Sequence, residues 1–82
     1  MSKSIIITGA ARGIGKTCAE HFLANGWKVG IVGRTPESVQ AMADSHENAL
    51  ALPCDVTDEA QVDAAFDKAV AEWGRIDALF NN

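Results

Sequence analysis

Apolar residues recur along the chain with two alternating periods. Ser4–Thr8 is β-branched and apolar without alternation, the pattern of a strand covered on both faces, and the glycines after it end the strand. From Ile14 to Asn25 the period lengthens. Ile14, Cys18 and Phe22, with Ala19 and Leu23 alongside, form the stripe of a first helix that Asn25-Gly26 ends with a left-handed turn. Val29, Ile31 and Val32 predict a second strand ending at Gly33-Arg34. Thr35-Pro36 then reads as an N-cap followed by proline at the first helical position, opening a second helix with the stripe Val39, Met42, Ala43 and His46. Ala49–Leu52 predicts a third strand whose end carries Pro53, and proline there points to a sheet edge. Thr57 is the predicted cap of a third helix, with Asp58 and Glu59 where the helix dipole favours acids. The stripe of that helix is Val62, Phe66, Ala69, Val70 and Trp73. Gly74 ends it, and Ile76–Phe80 is a fourth apolar strand.

A strand–helix unit repeated three times and closed by a strand predicts an α/β fold: a Rossmann-type, doubly wound parallel sheet of four strands in the order 3-2-1-4, with three helices and right-handed crossovers. Strand three is then an edge, in agreement with Pro53. Strand four is the other edge. It is apolar throughout and leaves backbone groups unpaired, and one sheet face is covered by a single helix. The pattern therefore predicts a truncated domain whose fourth strand offers a route to homo-oligomers or to a complementing half.

Length and composition narrow the function. Eighty-two residues make one small domain at most, and 48% hydrophobic with 22% charged residues and no low-complexity tract describe a folded, soluble chain. The net charge of −4 argues against nucleic acid or an anionic membrane as partner. The charge is uneven, however. Up to residue 39 there are five basic and two acidic residues, and from residue 40 onward two basic and nine acidic, so an anion site is expected early in the chain. Cys18 and Cys54 are too few and too far apart for a disulfide framework or a four-ligand zinc site, and read as small buried hydrophobes of a reducing compartment. His21 and His46 read as helix residues without ligand partners at metal spacing, and Trp27 and Trp73 as covers for the sheet margin. The apolar run Ile5-Ile6-Ile7 is far short of a signal-peptide core or a membrane span, so a cytoplasmic location is expected.

The chemistry concentrates in Thr8-Gly9-Ala10-Ala11-Arg12-Gly13-Ile14-Gly15, which follows a strand and opens a helix. Free N–H groups at a helix N-terminus bind phosphate oxygens. Glycine at positions 9 and 13 lets a pyrophosphate approach the backbone, with Ile14 in the opening turn, and glycine at 15 lets the helix lie close to the sheet. At the end of the second strand an acid would hydrogen-bond the adenosine ribose hydroxyls. Here Gly33-Arg34 stands instead. Arg34, with Arg12 from the loop and Thr35 as a hydroxyl donor, favours a 2′-phosphate and hence NADP over NAD. Asp55, just past strand three, is placed to accept from the adenine amino group, with Val56 packing on the ring. Asn81 falls beside strand one, at the topological switch point where such sheets bind ligands. The same loop also approximates a nucleotide-triphosphatase P-loop, because Ala10–Thr17 departs from GxxxxGK[ST] only at its first glycine. In that alternative Lys16 would hold phosphates and Thr17 a magnesium ion, but Arg34 has no role and Asp55 is a poor candidate for the second acid.

Thr8 to Gly15 matches the TGxxxGxG cofactor loop of the short-chain dehydrogenases/reductases, Asp55-Val56 resembles their adenine-side pair, and Asn81-Asn82 looks like the first half of their NNAG motif. The resemblance covers the whole chain. In that family basic residues at positions like Arg12 and Arg34 mark NADP-preferring members. The resemblance implies a parent oxidoreductase that transfers hydride between NADP(H) and a small-molecule carbonyl or alcohol by means of a later serine, a YxxxK tyrosine and lysine, and a further asparagine. This sequence has no tyrosine, and Lys16, Lys28 and Lys68 do not lie in the matching context. Residues 1–82 are thus expected to be the N-terminal part of an NADP-binding Rossmann domain without its catalytic half, inactive by itself.

Overall fold

The structure, a computed structural model, describes residues 3–11 and 13–81. Its elements run β1 (Ser4–Thr8), α1 (Gly13–Ala24), β2 (Lys28–Gly33), α2 (Pro36–Asp44), β3 (Ala49–Pro53), α3 (Glu59–Trp73) and β4 (Ala78–Phe80). The four strands form one parallel sheet in the order β3-β2-β1-β4, as the alternation of elements predicts.

Both faces of the sheet are covered, and each strand divides its side chains between them. Ile5, Ile7, Val29, Ile31 and Ala51 pack with Ala19 and Leu23 of α1 and Val39 and Met42 of α2. Ile6, Val32 and Leu52 pack on the opposite face with Ala69, Phe66 and Trp73 of α3. This double coverage is why the strands read as continuous apolar runs rather than as alternating ones. Full burial of a side chain such as Ile6, Ile7, Ile31 or Leu52 contributes about 1.5–3 kcal/mol relative to exposure. Gly30 marks where the α3 face is tightest. A Cβ there would stand 2.7 Å from Leu52 Cδ1, 3.1 Å from Ile6 Cγ1 and 3.4 Å from the Trp73 ring.

Several local expectations are corrected by this packing. Ile14 is 71% exposed, because the buried stripe of α1 is Gly15, Ala19 and Leu23, and Cys18 and Phe22 are only half-buried. Val70 is likewise exposed, since Ala69 is the residue of that turn that meets the sheet. His46 lies beyond the end of α2, and its Nδ1 accepts from the Asn48 N–H (3.1 Å). Thr35 occupies the N-cap of α2 but makes no side-chain capping bond. The cap of α3 is Asp58, not Thr57: its carboxylate accepts from the Ala60 and Gln61 N–H groups, so α3 starts at Glu59. Gly74 ends α3 at φ 83°, with its N–H on the Val70 carbonyl.

β4 is shorter than the run Ile76–Phe80 predicts because Asp77 is engaged before the strand begins. The Ser4 N–H donates to Asp77 Oδ2 (2.8 Å), the Ser4 hydroxyl to the Arg75 carbonyl (2.7 Å), and the Asp77 N–H to the Ser4 carbonyl (2.9 Å). Arg75 pairs with the other carboxylate oxygen of Asp77. Ser4 is buried, so this cluster satisfies polar groups that burial would otherwise penalise. The Ser4 N–H holds the Asp77 carboxyl below its usual range against an opposing effect of burial, and Arg75 acts in the same direction.

Candidate functional site

Because every strand runs in the same direction, Thr8, Gly33, Pro53 and Phe80 bring their following segments to one edge of the sheet. The loop after β1 is pinned there by Ala10, fully buried, whose N–H donates to the Val32 carbonyl (3.2 Å). Gly9 and Gly13 both adopt φ 65°, a left-handed backbone that favours glycine, and nothing lies within 4 Å of a Cβ built at Gly13. Gly15 is buried in the first turn of α1, while the side chain of Ile14 stands free on its outer side.

Arg34 and Thr35 leave the end of β2 and line one cavity, of about 310 Å³, together with Gly9, Ala11, Gly33 and Ser38. Arg34 is exposed, and among the described residues the single ion pair joins Arg75 to Asp77, so no carboxylate there holds the Arg34 guanidinium. The cavity is open rather than plugged by side chains. Arg12, predicted to approach from the loop, lies outside the described residues, as does Asn82.

Asp55 sits just beyond β3, where Cys54 N–H continues the ladder to the Gly33 carbonyl (2.8 Å). Its Oδ1 accepts from the Thr57 hydroxyl (2.7 Å) and the Thr57 N–H (2.9 Å), and its own N–H donates to Gln61 Oε1 (2.8 Å). The Thr57 hydroxyl and then the Thr57 N–H keep the Asp55 carboxyl below its usual range against an opposing effect of burial. The Arg34 charge adds to the lowering. Asp55 is therefore an anion, and no hydrogen bond among the described residues engages its Oδ2. Val56, 52% exposed, borders the Arg34 cavity and a second, more apolar one of about 170 Å³ formed with Thr8, Cys54, Phe66 and Asn81. Asn81 lies beside β1, where its Oδ1 accepts from the Thr8 hydroxyl (3.2 Å).

The structure thus brings Gly9, Gly13, Ile14, Gly15, Arg34, Thr35, Asp55, Val56 and Asn81 to a single edge. Sequence reasoning missed four participants. Thr57 and Gln61 fix Asp55, a role hidden because a threonine before a helix reads first as its cap. Ser38, in the first turn of α2, lines the Arg34 cavity, and its position two residues after Pro36 was the available signal. Cys54 borders both cavities, and burial, followed by the charges of Asp55 and Asp58, pushes its thiol pKa up, so it is held as a thiol. Lys16 and Thr17 fall on the exposed side of α1, and the Thr17 hydroxyl turns back to the Gly13 carbonyl (3.3 Å). Among the described residues no group of His, Cys, Asp and Glu could hold a metal ion, and no helix is long and apolar enough to cross a membrane.

The residues present fit a dinucleotide. They combine glycines in left-handed conformation at the mouth of a helix, an arginine that lines a cavity without a direct ion pair among the described residues, and an ionised acid with an oxygen that no hydrogen bond among the described residues engages.

A family model described as short chain dehydrogenase matches residues 3–82. A sorbitol dehydrogenase of Cereibacter sphaeroides is 40% identical over 98% of this chain and 32% of its own length. An NADP-dependent 3-hydroxy acid dehydrogenase of Salmonella typhi is 38% identical over 95% of the chain and 32% of its own length. The human 15-hydroxyprostaglandin dehydrogenase [NAD(+)] is 41% identical over 98% and 32%. Among solved structures, the 3-ketoacyl-(acyl-carrier-protein) reductase of Brucella melitensis complexed with NADH superposes with a TM-score of 0.91 at 38% identity, covering 94% of this chain and 32% of that one. ElxO with NADP bound gives 0.88 at 41%, covering 100% and 35%. The chain spans about a third of the length of the curated relatives it matches.

Proposed function

The chain belongs to the short-chain dehydrogenase family, and from that premise we propose that it is the NADP-binding portion of an oxidoreductase acting between NADP(H) and a small carbonyl or alcohol. When bound, the nicotinamide supplies or accepts the hydride. The residues of this chain hold and select the cofactor. Gly9, Gly13, Ile14 and Gly15 present the mouth of α1 to the pyrophosphate, Arg34, Thr35 and Arg12 take the 2′-phosphate, Asp55 accepts from the adenine amino group beside Val56, and Asn81 borders the crevice beside β1. No tyrosine is present to act as the family's proton donor, so the chemistry is assigned to a parent protein in which residues 1–82 form the first part of the cofactor domain.

The observation that carries the preference is Arg34, which makes no direct ion pair among the described residues, its charge reaching Asp55 only from a distance, and which lines the same cavity as Gly9 and Thr35. Relatives and neighbours include proteins named for NAD, NADH and NADP, so the choice rests on this position rather than on the family. A charge-assisted bond from Arg34 to a phosphate contributes about 1.5–3 kcal/mol. Arg34→Asp is therefore expected to weaken NADPH roughly 10- to 100-fold, measured by titration calorimetry, while NADH changes little or tightens. Equal losses for the two cofactors would refute the role of Arg34. The P-loop alternative loses its ground with the family assignment, and indifference to ATP with magnesium in the same titration is its check.

A further inference from the structure

The two outer strands of the sheet are not alike. The Val29 N–H donates to the Asn48 carbonyl (3.0 Å) and the Cys54 N–H to the Gly33 carbonyl (2.8 Å). In a parallel ladder alternate residues face the same neighbour. Leu50 and Leu52 therefore direct their main-chain groups at β2, and Ala49, Ala51 and Pro53 direct theirs outward. A row of outward N–H and C=O groups is a template for another strand. On β3 the row is broken at each step. The Ala49 N–H donates to the His46 carbonyl (3.1 Å), Lys68 Nζ reaches across from α3 to the Ala51 carbonyl (3.1 Å), and Pro53 has no N–H. No outward residue keeps both a free donor and a free acceptor, and the antiparallel pairing that a two-fold axis at this edge gives a second copy exchanges both bonds with one residue.

We infer that Lys68 closes the β3 edge against sheet extension by a second copy of this chain. It is the one side chain in the device, since the other two blocks are set by the main chain at His46 and by the proline ring. Without it, Ala51 regains a complete donor–acceptor pair at the centre of the strand. The ammonium also occupies the place where an incoming N–H would have to sit, and two edges brought together would desolvate a like charge from each copy. On β4 the Asp77 N–H donates to the Ser4 carbonyl (2.9 Å), so Ala78 and Phe80 direct their main-chain groups outward, and among the described residues no charged side chain is bonded to either. The two edges thus differ in what they admit.

The test is sedimentation equilibrium over a range of concentrations on the protein carrying this chain, comparing wild type with Lys68→Met, Lys68→Arg and Lys68→Met combined with Ala51→Pro. Methionine keeps most of the aliphatic stem and removes the ammonium. Lys68→Met is expected to self-associate at least about fivefold more tightly than wild type, Lys68→Arg to match wild type, and Ala51→Pro, which removes the outward N–H, to abolish the gain. A Lys68→Met protein with the wild-type association constant, or a gain that survives Ala51→Pro, overturns the assignment. Circular dichroism melting accompanies each sample. If Lys68→Met melts below the working temperature, Lys68→Leu takes its place under the same criteria.

Discussion

Thr57 gives both its hydroxyl and its N–H to one oxygen of Asp55, leaving the other oxygen of that carboxylate without a hydrogen bond from the described residues. A loop acid held by a single neighbour in this way is ionised, oriented and still able to accept. The same contact explains why Thr57 does not cap α3 and Asp58 does.

If Asp55 meets the adenine amino group, its loss acts on both nicotinamide cofactors alike, because both carry adenine. Asp55→Ala is expected to weaken NADPH and NADH by a similar factor of about 5 to 20, measured by titration calorimetry. A loss confined to one of them would move Asp55 out of the adenine subsite. The contrast with Arg34→Asp separates the two ends of the nucleotide.

Asp77 predicts how stability depends on pH. Its folded pKa lies below its unfolded value near 4, so its contribution is present above about pH 4 and is lost as pH falls through the folded value. Asp55 carries the same sign. Asp77→Ala, which also strands the buried Ser4 N–H, is expected to lower Tm by several degrees at pH 7. The gap to wild type should narrow as both are taken below pH 4 in calorimetric scans. A constant gap down to pH 2 would mean that the carboxylate charge contributes nothing.

Gly30 is expected to tolerate little. An alanine there must displace Leu52 Cδ1 and Ile6 Cγ1, and a valine must also move the Trp73 ring. Chemical denaturation should show a loss of about 1 kcal/mol for Gly30→Ala and about 3 kcal/mol for Gly30→Val. A valine variant as stable as wild type would show that α3 can lift from the sheet without cost.

The order of elements, the strand order and the glycine loop were legible in the sequence because each rests on local signals: period, turn glycines, and proline at an edge. The phase of the helices was less so. Ile14 and Val70 fit their apolar stripes as well as Gly15 and Ala69 do, and which of them meets the sheet depends on how closely the helix can approach, which favours the smaller residue. Thr57 and Asp58 are both competent caps, and the choice was made by Asp55, a neighbour that propensity does not consult. The contacts of Ser4 with Asp77 and of Lys68 with Ala51 join segments far apart in sequence, so no window along the chain contains them.

Ser4 and Asp77 stand 73 residues apart in sequence yet adjoin in space, and among the described residues β4 pairs with β1 alone. During synthesis β1 can find β2 soon after residue 33 has been made, but its other flank is complete only once residue 80 has emerged. At about 5–20 residues per second the ribosome leaves that central strand half-dressed for roughly several seconds. In that interval the nascent chain offers an isoleucine-rich border to whatever is near, which makes this stage of birth, rather than the finished protein, the moment at which a chaperone would matter most.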